Sequence, residues 1–238
     1  MKNLRMTPRL TTLIAAPIFA SLAACGSDTS NTAPTQAFLG AMKGAIGSVT
    51  GGKGQTASQG TTQAGLDALI AQALAATDGQ VMILGIESSN VTLAIAPVTT
   101  NGAVVTWKTP DRRSFAFKRG VLAGTRGFGE DLMSIHADPS ISLITTRRTG
   151  RVPRVNHYLS GLGYSSTLSL DCVISGGASE RMIVGQINTV TTHLTETCQR
   201  DGLVVENQYW VDARGKILRS RQWVSQGLGY IVTQQLRP

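Results

Sequence analysis

Leu168-Ser169-Leu170-Asp171-Cys172-Val173-Ile174 is the stretch that decides the fold class. Leu168, Leu170, Cys172 and Ile174 alternate with Ser169, Asp171 and Val173. This is the two-residue period of a strand with one face in a core and the other in water. The same period returns at Val91, Leu93 and Ile95, with Thr92 and Ala94 between them. Turn chemistry separates such stretches at Ser88-Ser89-Asn90, Asn101-Gly102, Gly176-Gly177, Asp201-Gly202 and Ala213-Arg214-Gly215, a spacing that suits a meander of hairpins. The pattern predicts strands near residues 80–87, 91–98, 103–108, 113–118, 121–126, 165–174, 181–196, 203–211, 216–224 and 228–236.

The expected architecture is all-β: an antiparallel meander curling into a barrel-like domain, because closure is how such a sheet protects its edges. One short helix precedes it. Leu66, Leu69, Ile70, Ala73 and Leu74 fall at i, i+3, i+4, i+7 and i+8 on one helical face, and Asp78-Gly79 ends the run. Residues 63–238 are expected to form a single β-rich domain, since about 175 residues suffice for one sizeable core.

Upstream of this domain the texture differs. Residues 25–62 are dominated by Gly, Ser, Thr, Ala and Gln and contain few large apolar side chains, so they read as a flexible tether. Residues 1–24 carry Lys2, Arg5 and Arg9, then an apolar run, then small residues: the layout of a secretory signal peptide. The run Leu10–Ala24 holds about 15 residues, short of the roughly 20 that span a bilayer as a helix, so a permanent transmembrane anchor is the weaker reading. Leu22-Ala23-Ala24-Cys25 resembles the lipobox of bacterial lipoproteins. There the cysteine thiol takes a diacylglyceryl group, and its freed amine takes a further acyl chain of the palmitate type. Two or three chains anchor stably where one binds marginally. The plain alternative is an ordinary signal peptide with a cysteine near its cleavage site. Gly26 follows Cys25, where an aspartate would mark retention at the inner membrane, so the expected location is the outer membrane, facing the periplasm.

The full chain carries +8. Removal of residues 1–24 leaves 19 basic against 14 acidic side chains, or +5. A basic periplasmic surface can face anionic polysaccharide, lipid headgroups or nothing in particular, and nucleic acid is not expected in that compartment. With Cys25 lipidated, only Cys172 and Cys198 remain, and an oxidising periplasm favours their pairing, with two buried free thiols as the alternative.

Three stretches together resemble the YjbF/GfcB family of group 4 capsule and exopolysaccharide lipoproteins. They are Gly120-Val121-Leu122-Ala123-Gly124-Thr125-Arg126-Gly127-Phe128-Gly129-Glu130-Asp131-Leu132-Met133, preceded by Trp107; the pair Cys172 and Cys198; and Asn207-Gln208-Tyr209-Trp210-Val211-Asp212 with Ile217 to Val224, Gly229-Tyr230 and the terminus Leu236-Arg237-Pro238. The resemblance implies a lipoprotein that works beside outer-membrane and periplasmic proteins making or exporting a surface polysaccharide. It implies a large antiparallel meander bent toward a barrel, and no catalytic residue or cofactor. The partners it implies are the membrane, through the lipid anchor, and the exopolysaccharide or other capsule-secretion proteins.

Other motifs read more plainly. Gly124-Thr125-Arg126-Gly127-Phe128-Gly129 matches neither a dinucleotide fingerprint nor a Walker loop, and a strand entering a tight turn is expected. His136, His157 and His193 share no zinc-like spacing, so no metal is expected. Glu130 and Asp131 are adjacent, and on extended backbone they point apart, unlike the facing carboxylates of a glycosidase. Asn90-Val91-Thr92 reads as a turn. Arg147, Arg148, Arg151 and Arg154 crowd a stretch with Gly150 and Pro153, which predicts an exposed loop.

Arg219, Arg221 and Trp223 alternate on one strand face, a candidate polysaccharide-binding surface: guanidinium forks pair with carboxylates and aromatic rings stack on sugar faces. The alternative is a solvated sheet face with a structural tryptophan. The expected function is a noncatalytic accessory role in exopolysaccharide or capsule biosynthesis or export. Its rivals are a periplasmic scaffold for an outer-membrane β-barrel without sugar binding, and a polysaccharide lyase or hydrolase.

The anchor has a direct test. Cys25→Ser removes the thiol that receives lipid, so mass spectrometry and membrane fractionation should show an unacylated precursor or soluble form. Unchanged mass and membrane association would remove the lipobox reading.

Overall fold

The computed structural model describes residues 62–238, so the signal peptide, Cys25 and the tether up to residue 61 lie outside the described residues. Helix α1 (Gln63–Ala76) starts at Thr62, whose hydroxyl accepts from the Gly65 N–H at 3.2 Å. Its last turn is held from the far end of the chain. The Arg237 guanidinium donates to the carbonyls of Leu74 and Gly79, both at 2.9 Å, and to that of Thr77.

The strands follow as β1 (Met82–Ile86), β2 (Val91–Asn101), β3 (Val104–Lys108), β4 (Ser114–Lys118), β5 (Val121–Arg126) and β6 (Glu130–His136). A second helix, α2 (Asp138–Thr145), leads to β7 (Gly150–Ser160), β8 (Ser165–Val184), β9 (Ile187–Arg200), β10 (Leu203–Asp212), β11 (Ile217–Ser225) and β12 (Gly229–Gln235). All twelve strands form one antiparallel order, β5-β4-β3-β2-β1-β12-β11-β10-β9-β8-β7-β6. Every strand therefore pairs with its chain neighbours except across β5 and β6, and β1 pairs with β12. The all-β, barrel-like expectation is met, with α2 as an unexpected addition.

The seam is between β5 and β6, which side chains bridge. Leu132 N donates to Thr125 Oγ1 at 2.9 Å, and Arg126 Nη1 donates to the Leu132 carbonyl at 3.1 Å. Asp131 ties the intervening turn by accepting from Gly127 N at 2.9 Å, Phe128 N at 3.2 Å and Thr125 Oγ1 at 3.1 Å. The result is a nearly closed barrel with a strand entering a tight turn at Gly127–Gly129, as the glycine-rich stretch predicts.

One wall of the barrel is buried on both faces. Met82, Leu84 and Ile86 point into the main core with Trp107, Phe115 and Leu122. Ile83 points outward but packs with Ala73, Ala94 and Leu236, with Leu66 and Ile70 of α1 beside them. Covering by α1 explains why Val81 to Leu84 is an uninterrupted apolar run without strand alternation.

The opposite wall has a polar interior. Arg154 Nη1 and Glu196 Oε2 form an ion pair at 2.9 Å, with side chains 2% and 0% exposed. The same carboxylate oxygen accepts from Asn207 Nδ2 at 2.9 Å and from the Tyr209 hydroxyl at 3.0 Å. Burial opposes the charge on Arg154, yet Glu196 and Tyr209 hold its pKa above the ordinary arginine value. Burial pushes the Tyr158 phenol up to about 12, and burial with the Glu196 charge raises Tyr209 well above its ordinary value. Beside this network Cys172 and Cys198 face each other across β8 and β9 and form a disulfide.

Two expectations are corrected here. Residues 147–149 do form an exposed link, but Gly150 to Ser160 is a strand and Arg154 is buried in the barrel. The inward positions of β7 are Arg154, Asn156 and Tyr158, so no apolar alternation marks the strand. Pro153 is tolerated because the β6 ladder stops at His136↔Val155, leaving its missing N–H beyond the neighbour's end. The second correction concerns Gly176-Gly177, which is a bulge inside β8 rather than a turn. A Cβ on Gly176 would sit 2.7 Å from the His193 carbonyl oxygen, at φ +105°, so the strand bends where only glycine fits. The chain reverses instead at Gly185-Gln186.

The buried pair predicts an asymmetry. Arg154→Met should cost about 3–5 kcal/mol in denaturant unfolding because it strands the Glu196 charge. Combining it with Glu196→Gln should recover most of that loss, since the amide keeps hydrogen-bonding capacity without a buried charge. A double variant as unstable as the single one would assign the loss to packing instead.

Candidate functional site

The outward side chains of β11 do not act singly, because strand register sets them in rows. His193↔Trp210, Trp210↔Arg219 and Arg219↔Gln234 are directly opposed pairs, which aligns four residues across β9, β10, β11 and β12. The His193 and Trp210 rings stack at 4.4 Å with 14° between planes. Arg219 Cζ lies 5.4 Å from the Trp210 ring centroid, and its Nε donates to Gln234 Oε1 at 2.7 Å. Trp210 Nε1 donates to Glu180 Oε2 at 2.6 Å. Arg219 Nη1 and Nη2 have no acceptor among the described residues, so two fork positions of this half-buried side chain at the groove are unengaged.

Arg221 sits in the next outward row with a different fate. Its Nε and Nη2 donate to both oxygens of Glu87 at 2.7 and 2.8 Å, and its Cζ lies 3.5 Å from the Tyr230 ring centroid. The Glu87 hydrogen bonds chiefly hold its pKa above the ordinary arginine value. Trp223 separates from both arginines. The β10–β11 ladder stops after Gln208↔Arg221, and the Trp223 N–H turns to Asn207 Oδ1 at 2.8 Å. Its half-buried ring packs against the cluster of Leu170, Cys172, Cys198 and Val205, and edge-on to Tyr158 at 6.4 Å.

The aromatic partner of the site is therefore Trp210, which sequence reasoning passed over. The turn Ala213-Arg214-Gly215 was the available signal: folding a hairpin about it sets Trp210 opposite Arg219. The same row runs into an outer groove of about 490 Å³ between α1 and the sheet, walled by Leu66, Ile70, Ile83 and Val232 with Arg219 and Glu87 at its margin.

His136 and His157, 21 positions apart, lie edge to face at 5.2 Å, and no acid or cysteine completes a ligand set with them among the described residues. Cys172, Glu196 and Cys198 converge within 4.8 Å, but the two sulfurs are bonded to each other, leaving no thiolate for a metal. Asp131 is engaged in the β5–β6 turn described above.

The family model for group 4 capsule polysaccharide lipoproteins, gfcB and YjbF, matches residues 60–236. The chain belongs to this family. Its function is thus that of a capsule-related lipoprotein of the cell envelope. The hypothetical lipoprotein YmcC from Escherichia coli shares the fold, with TM-score 0.62 and 18% identity over 78% of this chain and 98% of that one. An exported protein with a YmcC-like fold from Bacteroides fragilis aligns at TM-score 0.28 and 7% identity, over 66% of this chain and 93% of that one. No curated protein sequence matches the chain.

The two arginines make opposite predictions. Glu87→Gln releases the Arg221 fork, so the variant should elute from an immobilised polyanion at higher salt than the parent. Its stability should change by less than about 1 kcal/mol, because the pair is solvent-exposed. Unchanged elution would mean that Glu87 does not neutralise Arg221 in solution.

Proposed function

We propose that the chain is a noncatalytic accessory lipoprotein of capsule or exopolysaccharide biosynthesis or export. It is anchored through lipidated Cys25 in the outer membrane, faces the periplasm and contacts an acidic polymer through Arg219. The carrying observation is the free side of that guanidinium, held in position by Trp210 and Gln234. A pre-positioned planar fork matches a sugar carboxylate with little ordering cost. Arg221, facing Glu87, and Trp223, packed on the disulfide cluster, contribute less to such a contact than their spacing suggests.

One observation favours the scaffold reading. Ile183 and Val190 are 70% and 51% exposed at the tip of the β8–β9 hairpin, where register sets both on one face. Two exposed aliphatic side chains, set beside Arg181 and Asn188 on the same face, support contact with a neighbouring secretion protein or outer-membrane barrel, without sugar.

Co-sedimentation of the lipidated protein with acidic polysaccharide separates the two. Arg219→Gln should remove most of the salt-sensitive binding, since exposed charge contacts weaken within a Debye length of about 10 Å at 0.1 M salt. Trp210→Ala should weaken binding at every salt concentration, and Arg221→Gln should change it little. If folded Arg219→Gln binds polymer as the parent does, or the parent binds none, the polymer contact is lost and the scaffold reading stands.

A further inference from the structure

The barrel opens at the end where β1 and β11 begin and β12 finishes, forming a cavity of about 330 Å³. Its floor is apolar, with Met82, Trp107 and Phe117 from the main core. Three cations surround it: Arg119 from the β4–β5 turn, and Arg214 and Lys216 from the β10–β11 turn. Gln80, Thr233 and Gln235 add neutral donors and acceptors to the wall.

Both turns are held in place. Arg119 has φ +52°, and its N–H donates to the Ala103 carbonyl at 3.0 Å. Gly120 follows at φ +89°, and a Cβ there would come within 2.8 Å of Ile217 Cβ, so this turn rests directly on the start of β11. On the other side the Asp212 carboxylate accepts from the N–H groups of Arg214 at 2.9 Å and Lys216 at 2.8 Å. Arg147 Nη1 donates to the Asp212 carbonyl at 2.9 Å. The cations are thus presented across the cavity by backbone that is already ordered, which lowers the cost of binding.

Their charge is poorly answered from within the protein. Among the described residues neither Arg119 nor Lys216 is ion-paired to an acid, and Arg214 reaches only Asp212 at 3.5 Å. Burial, with the Arg214 charge beside it, lowers the Lys216 pKa below its ordinary value despite Asp212. A half-buried Lys216 flanked by the exposed Arg119 and Arg214 over an apolar floor favours a ligand with one anionic group and a compact polar body.

We propose that this mouth binds a single acidic sugar residue of the hexuronate class. Its carboxylate meets Arg119, Arg214 and Lys216, its hydroxyls meet the glutamines and Thr233, and its C–H face lies over Trp107 and Phe117. The identity of the ligand as a saccharide rests on the capsule reading, but the residues are distinct from the Arg219 row. The carboxylate chemistry is shared with inorganic phosphate, which the test separates.

Calorimetric titration of the mature lipidated protein in detergent with glucuronate, glucose and inorganic phosphate reads the site directly. Glucuronate should bind at least about tenfold tighter than either of the others. Lys216→Gln combined with Arg119→Asn, asparagine being tolerant of the left-handed backbone, should weaken glucuronate by about tenfold or more. Lys216→Gln alone serves if the pair does not fold. Arg219→Gln should leave glucuronate binding unchanged, so loss of polymer contact at that row and failure of this site read out separately. Equal binding of glucose and glucuronate, equal binding of phosphate and glucuronate, no binding, or parental affinity in the folded mouth variants would each overturn the proposal.

Discussion

The Arg154–Glu196 pair is the constraint on which the β7–β11 wall depends. Two charges removed from water cost several kcal/mol each unless every remaining polar position is answered. The surrounding strands supply most of those answers, Asn156 for Arg154 Nε at 3.2 Å and Asn207 and Tyr209 for Glu196 Oε2, while Glu196 Oε1 is buried without a hydrogen-bond partner among the described residues. The demand propagates outward. Asn156 Nδ2 donates to the Tyr158 hydroxyl, which donates to the Val224 carbonyl at 2.8 Å. Gln222, beside Tyr209, accepts from Leu122 N at 2.8 Å and donates to the Gly120 carbonyl at 3.0 Å. Residues from β7, β9, β10, β11 and β5 are thereby joined across the interior, and β5 is drawn onto β11 near the seam where the strand ladder is interrupted.

This network also sets the outer surface. A strand slipped by one residue exchanges its two faces, and a slipped β9 would carry Glu196 out of the barrel and Arg154 would lose its partner. An aliphatic interior tolerates exchange of one branched side chain for another, but a buried carboxylate has few acceptable positions. The disulfide acts in the same register, joining Cys172 and Cys198 at directly opposed positions of β8 and β9. Once the inward positions are fixed, the outward row of His193, Trp210, Arg219 and Gln234 follows from geometry, and its ring stack and Arg219–Gln234 hydrogen bond reinforce the same register.

Much of the fold was legible for that reason, and part was hidden for the same one. Where inward residues are apolar, as at Leu170, Cys172 and Ile174, the two-residue period marks the strand. Where they are Arg154, Asn156 and Tyr158, period and polarity disagree, and the strand reads as a basic loop. The covered wall fails differently, since α1 buries Ile83 from outside and erases alternation. At the candidate site, alternation correctly set Arg219 and Arg221 on one face. It missed that the β10–β11 ladder ends after Arg221, which takes the Trp223 ring to the disulfide cluster, and it missed the cross-strand neighbour Trp210. Period locates a face, whereas neighbours on that face come from hairpin register.

The same logic decides which positive charges are available to an anion. Arg113 faces Asp111, Lys118 faces Asp138, Arg200 faces Asp201 and Arg221 faces Glu87, while Arg154 is sealed inside with Glu196. Net charge therefore overstates what a ligand meets. Among the cations without an ion-paired acid, two belong to β11, Lys216 just before its first residue and Arg219 on its outer face, with Arg119 brought close by the contact of Gly120 with Ile217. β11 is also the strand whose inward Ser220 and Gln222 are hydrogen-bonded to each other at 2.8 Å, with Gln222 beside Tyr209 and so coupled to Glu196. A charge pair that touches no ligand thus fixes the strand on which both candidate anion contacts hang. Disturbing it should shift the outer row and the barrel mouth together, whereas changes on either surface should leave the other in place.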